Sequence, residues 1–283
     1  MVDSPIIYSR SRLTLTFVYL LAALIGMFVF FPFVWMILTS LKTETEALKI
    51  PVIWLPERPT LAAYITMWMR KNYATYFFNS TVVSISTSAI STLLGAMAGY
   101  GFSRFALRGR GLLMGFILTT QMLPGVLVVG PYFRILASLG LYDTRTGLII
   151  AFLTICLPFA TWMLKGFIDG IPSELDEAAM VDGCSRFRIF FTIILPLVRP
   201  GMVATMLFAF LLAWGDLLWV QTLTNSEAMV TVTLAIARTV QEFYVNWPEL
   251  MAGALMGGLP GIVLYLLLQR WLVQGLTAGA IKQ

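Results

Sequence analysis

Apolar residues in this chain neither alternate nor recur every third or fourth position. They run on in long stretches separated by short polar islands. A bilayer core takes about 20 apolar residues per helix, and six stretches reach that length: 13–38, 76–100, 112–136, 147–168, 201–222 and 251–272. Each is too long and too evenly apolar for a barrel strand, and in hydrocarbon every backbone N–H and C=O needs an internal partner. The pattern predicts an all-α, polytopic membrane protein with six transmembrane helices.

Details within the stretches refine this picture. The first exceeds the roughly 7–15 apolar residues of a signal-peptide core, and no small-x-small site closes it, so it is expected to stay in the membrane. Pro32, Pro124, Pro131, Pro158 and Pro260 can each free a carbonyl and permit a kink. Gly95 and Gly99 form a small-xxx-small pair that lets another helix come close, as at an interface with a second membrane subunit.

Composition agrees with the pattern: 59% of the 283 residues are hydrophobic and 12% charged, more apolar surface than a water-soluble fold of this size can bury. The short loop 101–111 carries Arg104, Arg108 and Arg110 and no acid. By the positive-inside rule that loop, both termini and the polar island around Glu177 lie in the cytoplasm of a multi-pass cell-membrane protein. With no histidine, and with Cys156 and Cys184 at different depths, a disulfide, a metal site and a Cys/His nucleophile are not expected. No G-x-x-x-x-G-K-[ST] loop is present, so any energised work draws on a gradient or a partner. Neither catalytic residues, nor a cofactor, nor nucleic-acid binding is implied.

The polar island reads as two short helices. Pro172 suits a first helical position, and Glu174, Asp176 and Glu177 put negative charge where the helix dipole favours it. Gly183 sits where a left-handed C-cap is wanted, so a helix of about ten residues should end at Asp182, with Leu175, Ala178, Ala179 and Asp182 on one face. Ser185 can cap a second helix whose Phe187, Phe190, Phe191 and Ile194 form an apolar stripe, ended or bent by Pro196. The island is either a docking surface for a soluble partner or an ordinary connection packed on its own bundle.

Inside the fifth stretch stands Asp216, flanked by Trp214 and Trp219. A carboxylate near the bilayer centre costs roughly 2.5–3.5 kcal/mol, so it should face a bundle interior or an aqueous path. Aromatic faces beside a carboxylate suit a sugar, whose C–H faces stack while its hydroxyls donate. An interfacial tryptophan belt, with the aspartate reaching headgroups or water, accounts for the same residues. A proton-coupled secondary carrier using Asp216 is a further reading, and it would transport as a single polypeptide.

The string Glu-Ala-Ala-x-x-Asp-Gly at 177–183, followed by Leu195-Pro196 between the fourth and fifth stretches, resembles the EAA loop of permease subunits of binding-protein-dependent ABC importers. Ser40-Leu41-Lys42, Pro59-Thr60 with Tyr64, Asn79-Ser80, Arg104-Phe105 ahead of Gly109-Arg110, and the tail from Gly275 to Lys282 are similar to the carbohydrate branch, in particular to the smaller maltose permease subunit. The family commonly carries Asn where this chain has Gly215.

The resemblance implies a type I importer fold. Residues 1–41 would form the N-terminus and first helix, 42–75 an external loop, 76–272 the transmembrane domain with its coupling loop at 169–200, and 273–283 a cytoplasmic tail. It also implies partners: a second permease, a cytoplasmic ATPase dimer that binds the ATP, an extracytoplasmic solute-binding protein and a sugar. Glu177, Ala178, Asp182, Gly183, Phe187 and Lys282 are the expected ATPase contacts, and Trp214, Asp216 and Trp219 the candidate substrate path.

Overall fold

The structure, a computed structural model, describes the backbone of residues 12–240 and 244–280 and the side chains of 14–240 and 244–271. Its helices run in chain order as α1 (Arg12–Ser40), the short α2 (Glu44–Ala47) and α3 (Ala62–Ile65), and the 32-residue α4 (Tyr73–Arg104). There follow α5 (Arg110–Thr119), α6 (Gly125–Ser138), α7 (Arg145–Asp169), α8 (Glu174–Val181), α9 (Arg186–Ile189) and α10 (Leu195–Leu197). The chain closes with α11 (Arg199–Gly215), α12 (Leu218–Leu223), α13 (Val232–Ala237) and α14 (Trp247–Ala280). No strand occurs among the described residues, only an isolated bridge between Val240 and Val245.

Four helical segments are long and apolar enough to cross a membrane alone: Thr14–Ser40, Tyr73–Arg104, Arg145–Asp169 and Trp247–Trp271. Two bent pairs, Arg110–Met122 with Gly125–Ser138 and Arg186–Leu197 with Arg199–Gly215, bring the number to six if each pair is one span. The six apolar stretches are thus all present, but two of them are not the single helices that hydropathy suggests.

The third stretch turns by 99° between its halves. Pro124 has no N–H to donate, and it holds Leu123 in the extended region at φ −75°, ψ 123°. The fifth stretch stops at Gly215, since Asp216 is extended at φ −73°, ψ 136° before α12 resumes. Ahead of it the chain bends by 80° at Val198, which lies between Pro196 and Pro200.

Helices α4 and α7 lie along each other, α11 packs on both, and α14 packs on α11 while carrying α1 on its outer side. Water does not drive helices together inside lipid, so close approach of small residues has to do it. The buried stripe of α4 is accordingly small and polar, including Ser84, Thr87, Ser88, Ser91, Gly95 and Gly99. A Cβ on Gly95 would fall 2.6 Å from the Cβ of Ala160, and one on Gly99 would fall 2.8 Å from the Lys165 nitrogen. The glycine pair expected at an interface with another subunit is therefore occupied within this chain.

Loops gather at two ends of the bundle. At one end Ser40 Oγ meets Tyr64 Oη at 2.8 Å, and the Thr60 amide donates to the Leu41 carbonyl at 2.9 Å. Lys42 is buried beside them, its Nζ donating to the Ile53 carbonyl at 2.5 Å and lying 4.4 Å from the Trp35 ring centroid. Burial draws its pKa below the ordinary lysine value, against the opposing charge of Glu46. Asp143 accepts the Asn225 and Ser226 amides at 2.9 and 3.1 Å. Burial alone would raise that carboxyl, but these donors outweigh it and hold it below its usual range. The opposite end carries residues 105–109 and 170–198.

Overpacking a tight helix contact costs about 1–3 kcal/mol, and more where backbone blocks relaxation. Gly95→Val should therefore lower the melting temperature of the detergent-solubilised protein by several degrees. Gly101→Val, made in the same helix where nothing lies within 4 Å, should not. Equal losses at the two positions would contradict the assigned packing.

Candidate functional site

The loop after α7 builds its surface from local capping. Helix α8 has Glu174, Asp176 and Glu177 in its first turn and ends at Asp182. Gly183 takes φ +81°, a region that costs glycine nothing. Its amide donates to the Met180 carbonyl at 3.0 Å and that of Cys184 to Ala179 at 2.9 Å, the paired bonds of a Schellman stop. Ser185 then starts α9, its Oγ accepting the Arg188 amide at 3.3 Å. The helix is eight residues long, slightly shorter than its sequence suggests.

The side chains sort into two faces. Asp176 and Ala179 are buried, whereas Glu177, Ala178, Asp182 and Gly183 are exposed. Val181 is 89% exposed and Leu175 44%, which leaves an apolar strip between acids with no described residue over it. The expected face of Leu175, Ala178, Ala179 and Asp182 is thus split, because Ala179 turns inward. Phe187 is 67% exposed and lies 4.7 Å from the Phe191 ring, next to the α8 surface. A π-helical turn over Phe190–Ile194 changes the phase of the second helix. Ile189, Phe190 and Ile194 are buried instead of the regular stripe the sequence suggests.

What holds the loop in place escaped the sequence reading. Asp176 is a carboxyl side chain taken out of water, with Oδ2 accepting Arg104 Nε at 3.0 Å and Oδ1 accepting the Tyr100 hydroxyl at 2.8 Å. Arg104 also donates to the Ile171 carbonyl at 2.8 Å, so one guanidinium grips the loop both before and inside α8. Arg186 lies over the Phe105 ring at 4.9 Å. The signal available in sequence was the i, i+4 spacing of Tyr100 and Arg104 at the end of α4, which puts both on one face.

Trp214, Asp216 and Trp219 lie at the other end of the bundle. Trp214 is buried, stacked on Phe210 at 5.4 Å and edge-on to Phe77 at 5.3 Å, and its Nε1 donates to the Gly257 carbonyl at 2.8 Å. Trp219 is buried against Tyr132 at 5.0 Å, so the two indoles face different neighbours. Between them Asp216 is half-buried at the helix break, and its Oδ1 accepts the Trp219 amide at 2.8 Å as the start of α12.

A cavity of about 380 Å³ opens nearer the 42–66 segment, lined among others by Lys42, Glu44, Arg58, Thr66, Asn246 and Glu249. Lys282 lies outside the described residues, and α14 runs on to Ala280 before it. Among the described residues no group of three or more His, Cys, Asp or Glu side chains is placed to hold a metal ion.

Helices long enough to cross a membrane, two of the crossings bent, with a capped acidic helix turned outward from one end, describe a polytopic membrane protein. Residues 91–278 match the model of the family described as "Binding-protein-dependent transport system inner membrane component", and the chain belongs to that family, the permease component of ABC importers. It is 36% identical over 254 residues to the inner membrane ABC transporter permease protein YcjP of Escherichia coli, covering 89% of this chain and 91% of that one. To the sulfoquinovosyl glycerol transport system permease protein SmoH of Agrobacterium fabrum it is 34% identical, with coverage of 89% and 88%. In fold it is similar to a chain of a bacterial ABC transporter involved in import of the acidic polysaccharide alginate, at TM-score 0.77 and 24% identity, covering 93% of this chain and 99% of that one.

The role of Asp216 as a helix start is separable from its charge. Asn caps a helix as well as Asp does, while Ala costs about 1 kcal/mol. Asp216→Asn should leave the melting temperature near wild type and Asp216→Ala should lower it. Equal losses for Asn and Ala would point to the charge instead.

Proposed function

We propose that this chain forms half of the translocation path of an ATP-driven importer for a sugar or sugar-like solute, and that α8, with its Gly183 stop, is its coupling contact with a cytoplasmic ATPase dimer. The observation that carries this reading is the division of α8: one buried acid holds the loop to the bundle, while Glu177, Ala178, Val181 and Asp182 stand exposed. An apolar strip rimmed by acids suits a groove with an apolar floor and basic edges. The ATP is bound by the ATPase, since this chain has no phosphate-binding loop of its own.

The carbohydrate assignment draws on a relative named for transport of a sulfoquinovosyl glycerol. A second permease completes the path, and a solute-binding protein delivers cargo to the end formed by 42–72 and 216–240. The arginine-rich loop 105–110 lies at the same end as α8, which supports a cytoplasmic position for that end and for both termini. Trp214 and Trp219 shape the wall on either side of the Asp216 break, and the carboxylate is the group there that a sugar hydroxyl can reach.

Two substitutions test the docking assignment. Proline cannot adopt φ +81°, so Gly183→Pro should destroy the Schellman stop while leaving membrane insertion intact. Val181→Arg changes only an exposed position. Both variants should insert at wild-type levels but recover little ATPase on mild-detergent purification and import little solute. Normal recovery and import by both would overturn the assignment.

A further inference from the structure

We propose that α4 is the rod that carries movement of the coupling loop to the opposite end of the bundle, with Arg104, Asp176 and Tyr100 as positioning residues at its inner joint and Asn79 and Ser80 at its outer one. The inference rests on the function proposed above.

The inner joint is stiff for an electrostatic reason. Asp176 and Arg104 side chains are 4% and 8% exposed, so their mutual attraction, with the Tyr100 and Ile171 hydrogen bonds, has to offset the loss of hydration. Pulling α8 away from α4 would strand a buried charge. Displacement of the loop is therefore handed on to α4 rather than absorbed between them. The Arg104 bond to the Ile171 carbonyl adds a second grip on the same loop. A loop held only by exposed contacts would slip.

The rod itself differs from the other crossings. Helices α1, α7 and α14 contain Pro32, Pro158 and Pro260, and the remaining two crossings are bent by 99° and 80°. Among the described crossings α4 alone has neither a proline nor a break. From Asn79 to Arg104, at about 1.5 Å per residue, it spans roughly 37 Å.

The outer joint is as specific as the inner one. Asn79 Nδ2 donates to the carbonyls of Ala228 and Val230, both at 2.8 Å, while its Oδ1 accepts Arg145 Nε at 2.8 Å. Ser80 Oγ accepts the Val232 amide at 2.9 Å, and the Tyr76 hydroxyl donates to Glu227 at 2.7 Å. Segment 227–232, which follows the Asp216 break and α12, is thus pinned to the first turns of α4. Asp176 and the 227–232 segment are at opposite ends of the bundle, and α4 is hydrogen-bonded to both.

The test reads one end while perturbing the other. Ala228→Cys is introduced into a chain carrying Cys156→Ser and Cys184→Ser, and the whole complex is purified from native membranes with its partners. Maleimide labelling at position 228 is then timed without nucleotide and after trapping with ATP and vanadate. The parent complex should show a nucleotide-dependent change in labelling rate. Asp176→Asn should lose that change while the ATPase still co-purifies and hydrolyses ATP, and Asp176→Glu, which keeps the charge, should retain it. Tyr100→Phe removes one hydrogen bond and keeps the ring, so it should diminish the change even if Asp176→Asn does not fold.

Wild-type labelling behaviour in Asp176→Asn or in Tyr100→Phe would overturn the proposal. So would loss of the change solely through loss of the ATPase, since that makes the joint a mere anchor. A parent complex that recovers no ATPase would instead remove the functional reading on which the proposal stands.

Discussion

The structure depends first on the close approach of α4 and α7. Two glycines let the backbones touch where any larger residue would overlap the Ala160 side chain or the Lys165 backbone. In lipid no hydrophobic gain brings helices together, so this steric fit and the small polar stripe beside it set where α4 lies. Everything functional is placed relative to that helix. Its last turn supplies Tyr100 and Arg104 to the 170–198 loop, and its first turns supply Asn79 and Ser80 to segment 227–232. Helix α11 completes the core by packing its Gly201 against the Phe167 ring of α7.

Much of this was legible in the sequence because lipid and capping impose local rules. The length of each apolar stretch followed from bilayer thickness, and Gly183 and Ser185 announced the end of one helix and the start of the next. The breaks were not, because an average over twenty apolar residues hides one extended residue at Leu123 or Asp216. Pro124 was visible as a kink, but its 99° extent depends on the neighbours around it. The closeness signalled by Gly95 and Gly99 was legible too. Which helix filled the space was not, because that contact joins residues some sixty positions apart.

The candidate site divides in the same way. Glu177, Ala178, Asp182 and Gly183 could be picked out through the likeness to the EAA loop, and the structure leaves all four exposed on and just after α8. Asp176 could not, since an acid in the first turn of a helix already has an explanation in the dipole. Its partner Arg104 is 72 residues away and itself fits the charge rule for loops. Trp214 and Trp219, read from sequence as aromatics flanking a carboxylate, are buried, one bonded to the Gly257 carbonyl and the other edge-on to Tyr132. The motifs that carry the family likeness in the first half of the chain meet as structural ties, Ser40 with Tyr64, Lys42 with Ile53, Asn79 with the 228–230 carbonyls.

The function proposed for this chain is to turn closure of a partner into movement of a path. The decisive measurement is reconstitution into liposomes of what purifies with this chain under mild detergent, with uptake followed under ATP and, separately, under a proton gradient. The account predicts recovery of an ATPase and a second permease, uptake that needs ATP and a binding protein, and an inert chain when it is reconstituted alone. A chain that purifies by itself and transports under the proton gradient would contradict it and make Asp216 the centre of the mechanism.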